Sequence, residues 1–199
     1  MKALILDYGN VLSLDQRPEL YDHAAGAFGV TADQVYAGYW ENRLDYDRGW
    51  LDGRNYWERV AGLSVPILAV HQQLDQLIHW DAESWSAPNP AVLAIAGQAV
   101  DRGLRVGLLS NMPIDIWQEL QAICAWMPRF DQVTVSGFIG AIKPEREIYE
   151  HCLQGLGVEP GEAVFLDDRP ENVEAARALG IDARWFHKDA PPFDWSTIA

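Results

Sequence analysis

The stretch Lys2-Ala-Leu-Ile-Leu-Asp-Tyr-Gly-Asn-Val-Leu12 decides the reading of the fold. Its apolar run shows no polar alternation, the pattern of a strand covered on both faces at the centre of a parallel sheet. A tight Gly9-Asn10 turn ends the run. Asp7 therefore stands at the strand's carboxyl end, the edge at which open α/β sheets bind ligands. An aspartate that merely opens a turn is the plainer alternative. What the rest of the chain brings to the same edge decides between them.

Beyond Ala87-Pro-Asn-Pro90, helical and buried-strand patterns alternate. Helices are expected over 92–101, 114–126, 144–156 and 171–179, and strands over 105–109, 132–135, 163–166 and 183–186. Gly103, Gly157 and Gly180 stand where helices need left-handed ends. This alternation means an α/β fold with a doubly wound parallel sheet. The tail, residues 189–199, reads as a surface strap.

Residues 15–86 differ, because their apolar positions recur at helical spacing: Leu20, Tyr21, Ala24, Ala25 and Phe28, then Val35, Tyr36, Tyr39 and Trp40. They read as a helical cap inserted into an α/β core of residues 1–14 and 87–199. Thr31-Ala-Asp-Gln34 is a capping box, and Asp52-Gly53 and the stretch 62–66 are breaks. Five tryptophans fall in this insertion: Trp40, Trp50, Trp57, Trp80 and Trp85. Most are expected in its core, with one or two lining a cleft.

With 199 residues, 49% of them hydrophobic, the chain can bury a substantial core. The net charge of −14 and scattered basic residues argue against a nucleic-acid surface. No apolar segment approaches the ~20 residues that span a bilayer, and the N-terminus enters a strand instead of a signal peptide. Cys124 and Cys152 lack metal-ligand spacing and read as reduced structural thiols. A cytoplasmic protein is expected, its oligomeric state undetermined.

Three further stretches fall at strand ends: Leu109-Ser110-Asn111, Ile142-Lys143-Pro144, and Phe165-Leu-Asp167-Asp168-Arg-Pro-Glu-Asn172. Each has a structural alternative. Ser110 could cap a helix, Asp168 could form a capping box with Glu171, and Lys143 could be a solvated side chain. Jointly they place three carboxylates, a hydroxyl and an ammonium on the edge that holds Asp7.

In this order, Asp7, Ser110, Lys143 and Asp167-Asp168 resemble the four motifs of the haloacid dehalogenase-like hydrolase superfamily, over the whole chain. The resemblance implies a Rossmann-like core and Asp7 as nucleophile. It also implies Mg²⁺ held by Asp7 and Asp168, with Asp167 as a direct ligand or as the neighbour of one. Lys143, Ser110, Asn111 and the turn at Gly9 would bind the phosphoryl group of a small phosphate ester. Hard oxygen ligands suit Mg²⁺, and aspartate attack on phosphorus needs a cation between the two anions.

One departure matters. Most phosphatases of the superfamily carry an acidic proton donor two residues after the nucleophile, where Gly9 stands here. A branch that includes sugar-1-phosphate phosphatases also has glycine there, which makes a sugar 1-phosphate the favoured ester. Arg48-Gly49 is similar to a pair in the same branch. Two alternatives stay open: a metal-independent dehalogenase, and a catalytically weak phosphometabolite-binding protein. Asp15, Arg17, His23, Tyr46 and Arg48 are the candidates for specificity.

Overall fold

The computed structural model describes residues 1–62, 65–187 and 193–197. Five strands form one parallel sheet: β1 (Ala3–Leu6), β2 (Arg105–Ser110), β3 (Gln132–Val135), β4 (Ala163–Asp167) and β5 (Asp182–Trp185). Their order is β3-β2-β1-β4-β5, so β1 is central. Period-two alternation divides its side chains between two cores. Leu4 and Leu6 join Val106, Leu108, Val164 and Leu166 on one face. Ala3 and Ile5 join Leu109, Ala163 and Phe165 on the other.

The sheet is covered by α6 (Pro90–Asp101), α7 (Ile114–Ile123), α9 (Arg146–Leu156) and α10 (Pro170–Ala178). α6 and α7 pack on the first face, and α9 and α10 bury Ile148, Tyr149, Cys152 and Val173 on the second. Most boundaries lie within two residues of the sequence reading. Exceptions are α7, which stops at Ile123 before the expected Trp126, and a short helix α8 (Ser136–Ile139) that sequence periodicity does not reveal. So short a helix cannot establish a period. Both cysteines are buried free thiols, and burial pushes the Cys152 thiol up to about 12.

Among the described residues, five α-helices fall between β1 and α6: α1 (Glu19–Phe28), α2 (Ala32–Asp47), α3 (Gly53–Ala61), α4 (Ile67–Gln72) and α5 (Leu74–Ser84). The Thr31/Gln34 capping box is present, and Asp52 caps α3 through Asn55 N. Both chain crossings meet in a short antiparallel ribbon. Leu14 N donates to Ala87 O at 2.8 Å, Asn89 N donates to Leu12 O at 2.9 Å, and Ser13 pairs with Pro88. Part of the expected break at 62–66, residues 63 and 64, lies outside the described residues. So does most of the expected strap, except 193–197, within which Trp195 Nε1 donates to Gln98 Oε1 at 2.7 Å.

The expectation that most insertion tryptophans are core holds in part: Trp57 belongs to the core cluster, and Trp80 and Trp85 pack against it half-buried. Of the five, only Trp57 is fully buried, while Trp40 is exposed and Trp50 is 70% exposed. Trp50 carries the Arg48 guanidinium 4.7 Å above its ring, a stacking that keeps an indole at the surface. Trp40 and Trp85 border the cavity described next.

Candidate active site

β1 ends one residue before Asp7, whose backbone N donates to Leu166 O at 3.0 Å and so keeps it in register with β4. The chain then turns through Tyr8–Leu12. Asn10 adopts φ 57°, a left-handed conformation that asparagine tolerates better than most residues. That turn aims Asn10 Nδ2 at Asp168 Oδ2, 2.9 Å away. It thereby ties the loop after β1 to the loop after β4.

Lys143 is 3% exposed, which removes the solvated-lysine reading. Its Nζ lies 2.8 Å from Asp7 Oδ1 and 2.6 Å from Asp167 Oδ2, and it donates to Leu109 O at 3.0 Å. Asn111 fixes the lysine's backbone. Its Oδ1 accepts from Lys143 N at 2.7 Å and its Nδ2 donates to Lys143 O at 3.0 Å. The amide of Asn111 thus positions Lys143, leaving its backbone N–H as the group able to meet an anion.

The two capping alternatives also fall. The N-cap of α10 is Arg169, without a side-chain cap, and the N-cap of α7 is Pro113. Neither Asp168 nor Ser110 therefore serves a helix end, and both border a cavity of about 140 Å³ with Asp7, Gly9, Asn111 and Lys143.

Asp7, Asp167 and Asp168 each offer an oxygen, and these atoms lie within 4.8 Å of one another. One lysine cannot neutralise three carboxylates, and a divalent cation with a preference for oxygen ligands fits the set. Asp167 is the most committed of the three. Its Oδ2 takes the Lys143 ammonium, while its Oδ1 accepts from Arg169 N and Asn172 Nδ2, both at 2.9 Å. Burial pushes Asp7 up to about 7, opposed by Lys143 and reinforced by Asp167 and Asp168. Burial likewise raises Asp168, while the ion pairs with Asp167 and Asp7 raise Lys143 against its own desolvation.

A raised carboxyl means that the native state holds a proton which the unfolded chain releases. Between pH 3.8 and about 7 the folded metal-free protein binds more protons, so Asp7's contribution to stability falls as pH rises through that window. In EDTA, the melting temperature of the wild type is expected to drop more between about pH 5 and 8 than that of Asp7→Asn. Equal pH slopes would contradict this assignment.

Gly9 has a neighbour that sequence cannot show. A Cβ built on it would lie 3.4 Å from Trp85 Cζ3, with two more ring atoms inside 4 Å. The Trp85 indole therefore occupies the space into which a longer side chain at position 9 would grow.

The specificity candidates are corrected in part. Among the described residues, the cavity wall includes none of Asp15, Arg17, His23, Tyr46 and Arg48. Asp15, Arg17 and His23 are exposed. Arg17 donates to Ser86 Oγ at 3.2 Å, and the His23 ring lies against Trp80. Tyr46 and Arg48 instead join α2 and the turn after it to α7 and to the residue before α9. Tyr46 OH donates to Asp115 Oδ1 at 2.6 Å, and Arg48 forms a two-pronged pair with Glu145 at 2.6 and 2.7 Å. Gly49 follows at φ 82°, where an added Cβ would come 2.8 Å from Gly137 O. This close backbone approach accounts for the Arg48-Gly49 pair. Trp40, Arg43, Asp47 and Trp85 supply the insertion's share of the cavity wall.

A family model of haloacid dehalogenase-like hydrolases matches residues 1–180. The chain is a haloacid dehalogenase-like hydrolase. This hydrolase is 29% identical over 186 residues to a phosphatase of Mycobacterium tuberculosis, MT3486, covering 92% of this chain and 86% of that one. It is 32% identical over 106 residues to a phosphoserine phosphatase of Thermus thermophilus, covering 53% of this chain and only 43% of the relative. Its fold matches a haloacid dehalogenase family enzyme of Bacteroides thetaiotaomicron, solved with magnesium and inorganic phosphate, at TM-score 0.72 and 19% identity over 98% of both chains. An L-2-haloacid dehalogenase of Xanthobacter autotrophicus shares the fold at TM-score 0.67 and 18% identity, over 92% of this chain and 76% of that one. Among the described residues of the hydrolase, no helix is long and apolar enough to cross a membrane.

Proposed function

We propose that this hydrolase is a Mg²⁺-dependent phosphatase for a small phosphate ester, working through a phosphoryl group carried on Asp7. The observation that carries the reading is the placement of Asp7 and Lys143 in contact, with Asp168 near enough to share a cation. The phosphatase names of the relatives support it. Residues 15–86 act as the cap and residues 1–14 and 87–199 as the catalytic core, the ribbon at 12–14 and 87–89 joining them.

Asp7 attacks phosphorus while the bond to the leaving alcohol breaks. Water then attacks the phosphoryl-aspartate, releasing inorganic phosphate and restoring Asp7. Asp7 and Asp168 would hold Mg²⁺, which would supply charge neutralisation and alignment of the phosphoryl oxygens. Lys143, Ser110 and the Asn111 N–H hold the equatorial oxygens, where negative charge spreads in the transition state. Asp167 acts through Lys143: its full set of hydrogen bonds suits an anchor for the ammonium better than a direct ligand. A dehalogenase displaces halide from carbon with an aspartate nucleophile but no metal, which gives Asp168, the third carboxylate of the cluster, no role.

A phosphate-release assay over a metabolite panel, with Mg²⁺ and with EDTA, tests the proposal. Release that requires Mg²⁺ is expected. Activity indifferent to EDTA, or halide release from 2-haloacids in its place, would overturn it.

Gly9 and Trp85 shape which esters react. General acid catalysis contributes about 10²- to 10⁴-fold, so without an acid at position 9 the alcohol must bear its own negative charge. An anomeric hydroxyl or a phenol does this better than a primary alcohol. Among sugar phosphates, kcat/KM is expected to favour the 1-phosphate over the 6-phosphate, and to rise steeply with leaving-group acidity across aryl phosphates. A flat aryl series would mean that another group donates the proton. Gly9→Asp alone is expected to gain little, because the carboxyl must displace the Trp85 ring.

A further inference from the structure

Arg43 and Asp47 lie one turn apart on α2, 8% and 6% exposed, and both border the cavity that contains Asp7. Arg43 Nε donates to Asp47 Oδ1 at 2.7 Å. Its Nη1 reaches Asp81 Oδ2 at 3.2 Å and also donates to the Tyr39 hydroxyl. Asp81, wholly buried, accepts from Tyr39 OH at 2.8 Å. The Arg43 Cζ also sits 5.0 Å from the Tyr39 ring centre and 5.8 Å from that of Tyr46. Nε and Nη1 of the guanidinium are therefore both engaged by protein groups.

Nη2, which shares an edge of the guanidinium with Nε, has no partner among the described residues. Asp47 Oδ2 likewise accepts no hydrogen bond among them. Sealed side-chain polar atoms without a partner are, among the described residues, only Ser13 Oγ and Trp57 Nε1. Nη2 and Oδ2 are therefore reachable, and the space that both residues border is the catalytic cavity. Buried Arg–carboxylate pairs frequently close both prongs of the fork on both oxygens. Replacing a buried charge cluster by apolar residues is often neutral or stabilising, so a half-open pair is not explained by stability.

We propose that Arg43 and Asp47 recognise neighbouring hydroxyl groups of the leaving alcohol, which makes the substrate a phosphate ester of a polyhydroxy compound such as a sugar. One hydroxyl oxygen accepts from Arg43 Nη2, and its neighbour donates to Asp47 Oδ2. Trp40 and Trp85 border the same space with flat apolar surfaces suited to the C–H side of a sugar ring. The cavity, about 140 Å³, is small beside the roughly 300–1,000 Å³ of sites for drug-sized ligands, a size that suits an alcohol of about one ring. This inference rests on the phosphatase reading.

The test compares kcat/KM for a hexose 1-phosphate with kcat/KM for phenyl phosphate, in wild type and Asp47→Asn, with Mg²⁺ present. The substituted amide keeps an oxygen for Arg43 Nε but offers an N–H₂ where Oδ2 stood. Hydrogen bonds to charged groups contribute about 1.5–3 kcal/mol, so the hexose-to-phenyl ratio is expected to fall about 10- to 100-fold. The loss should fall mainly on KM. A merely structural role would lower both substrates together and leave the ratio unchanged, which overturns the proposal. Should the variant not fold, wild-type enzyme with deoxy analogues of the hexose 1-phosphate asks the same question. A loss of tenfold or more for a missing hydroxyl supports the proposal, and equal turnover of every analogue overturns it. Phenyl phosphate separates the two readings. Its hydrolysis with an unchanged ratio sinks this inference and keeps the phosphatase, whereas a folded protein inert to all of these esters sinks both.

Discussion

Asp7→Asn is expected to lower phosphatase activity by about 10⁴-fold or more, the scale on which removal of a catalytic nucleophile acts. The side chain keeps its shape but loses its attacking charge and a metal ligand. Its fold should survive. The amide oxygen can still accept from Tyr8 N, which lies 2.7 Å from Asp7 Oδ1 in the wild type, and Lys143 keeps Asp167 as a charged partner. Because burial already disfavours the ionised form of Asp7, the metal-free variant is expected to melt no lower than wild type near pH 8. A kinetic loss accompanied by unfolding would show that Asp7 is structural.

Lys143→Met should be costly in two ways. It strips the ammonium from between Asp7 and Asp167, both buried, and breaking such a pair from one side typically costs about 3–5 kcal/mol. On the proposed mechanism it also removes a positive charge beside the transferring phosphoryl group, a loss of about 10²- to 10³-fold in kcat. Without Lys143 the lowering influence on Asp7 is gone, so its carboxyl should take up a proton at higher pH than in wild type. Mg²⁺ should restore part of the lost melting temperature by replacing some of the missing positive charge. A variant as stable and as active as wild type would remove Lys143 from the site.

The catalytic edge is legible in sequence because interior strands of a parallel sheet are apolar on both faces. Ala3–Leu6 and the apolar part of Ala163–Asp167 carry no polar alternation, so both read as interior strands, and the polar residues that end them share one edge. The division of labour among the three carboxylates is not legible. It depends on Asn172 and the Arg169 N–H, which fold back onto Asp167 through the first turn of α10. Spacing alone treats Asp167 and Asp168 alike.

The insertion's contribution to the cavity escapes a sequence reading for a physical reason. α2 buries a polar stripe, Tyr39, Arg43 and Asp47, so apolar periodicity directs attention to the wrong residues. A signal is present in another form. Tyr39, Arg43 and Asp47 recur every fourth residue, the spacing at which side chains meet along one helix face. Arg17 and His23 are attractive for their chemistry alone, and both face outward. Trp85 packs against Gly9 from the far end of the insertion, a long-range contact that no local pattern encodes.

The most direct test of covalent catalysis at Asp7 is peptide mass mapping after acid quench during turnover of an aryl phosphate with Mg²⁺. A phosphoryl adduct is expected on the peptide that carries Asp7, absent in Asp7→Asn. Steady turnover with the adduct on a different residue would contradict it.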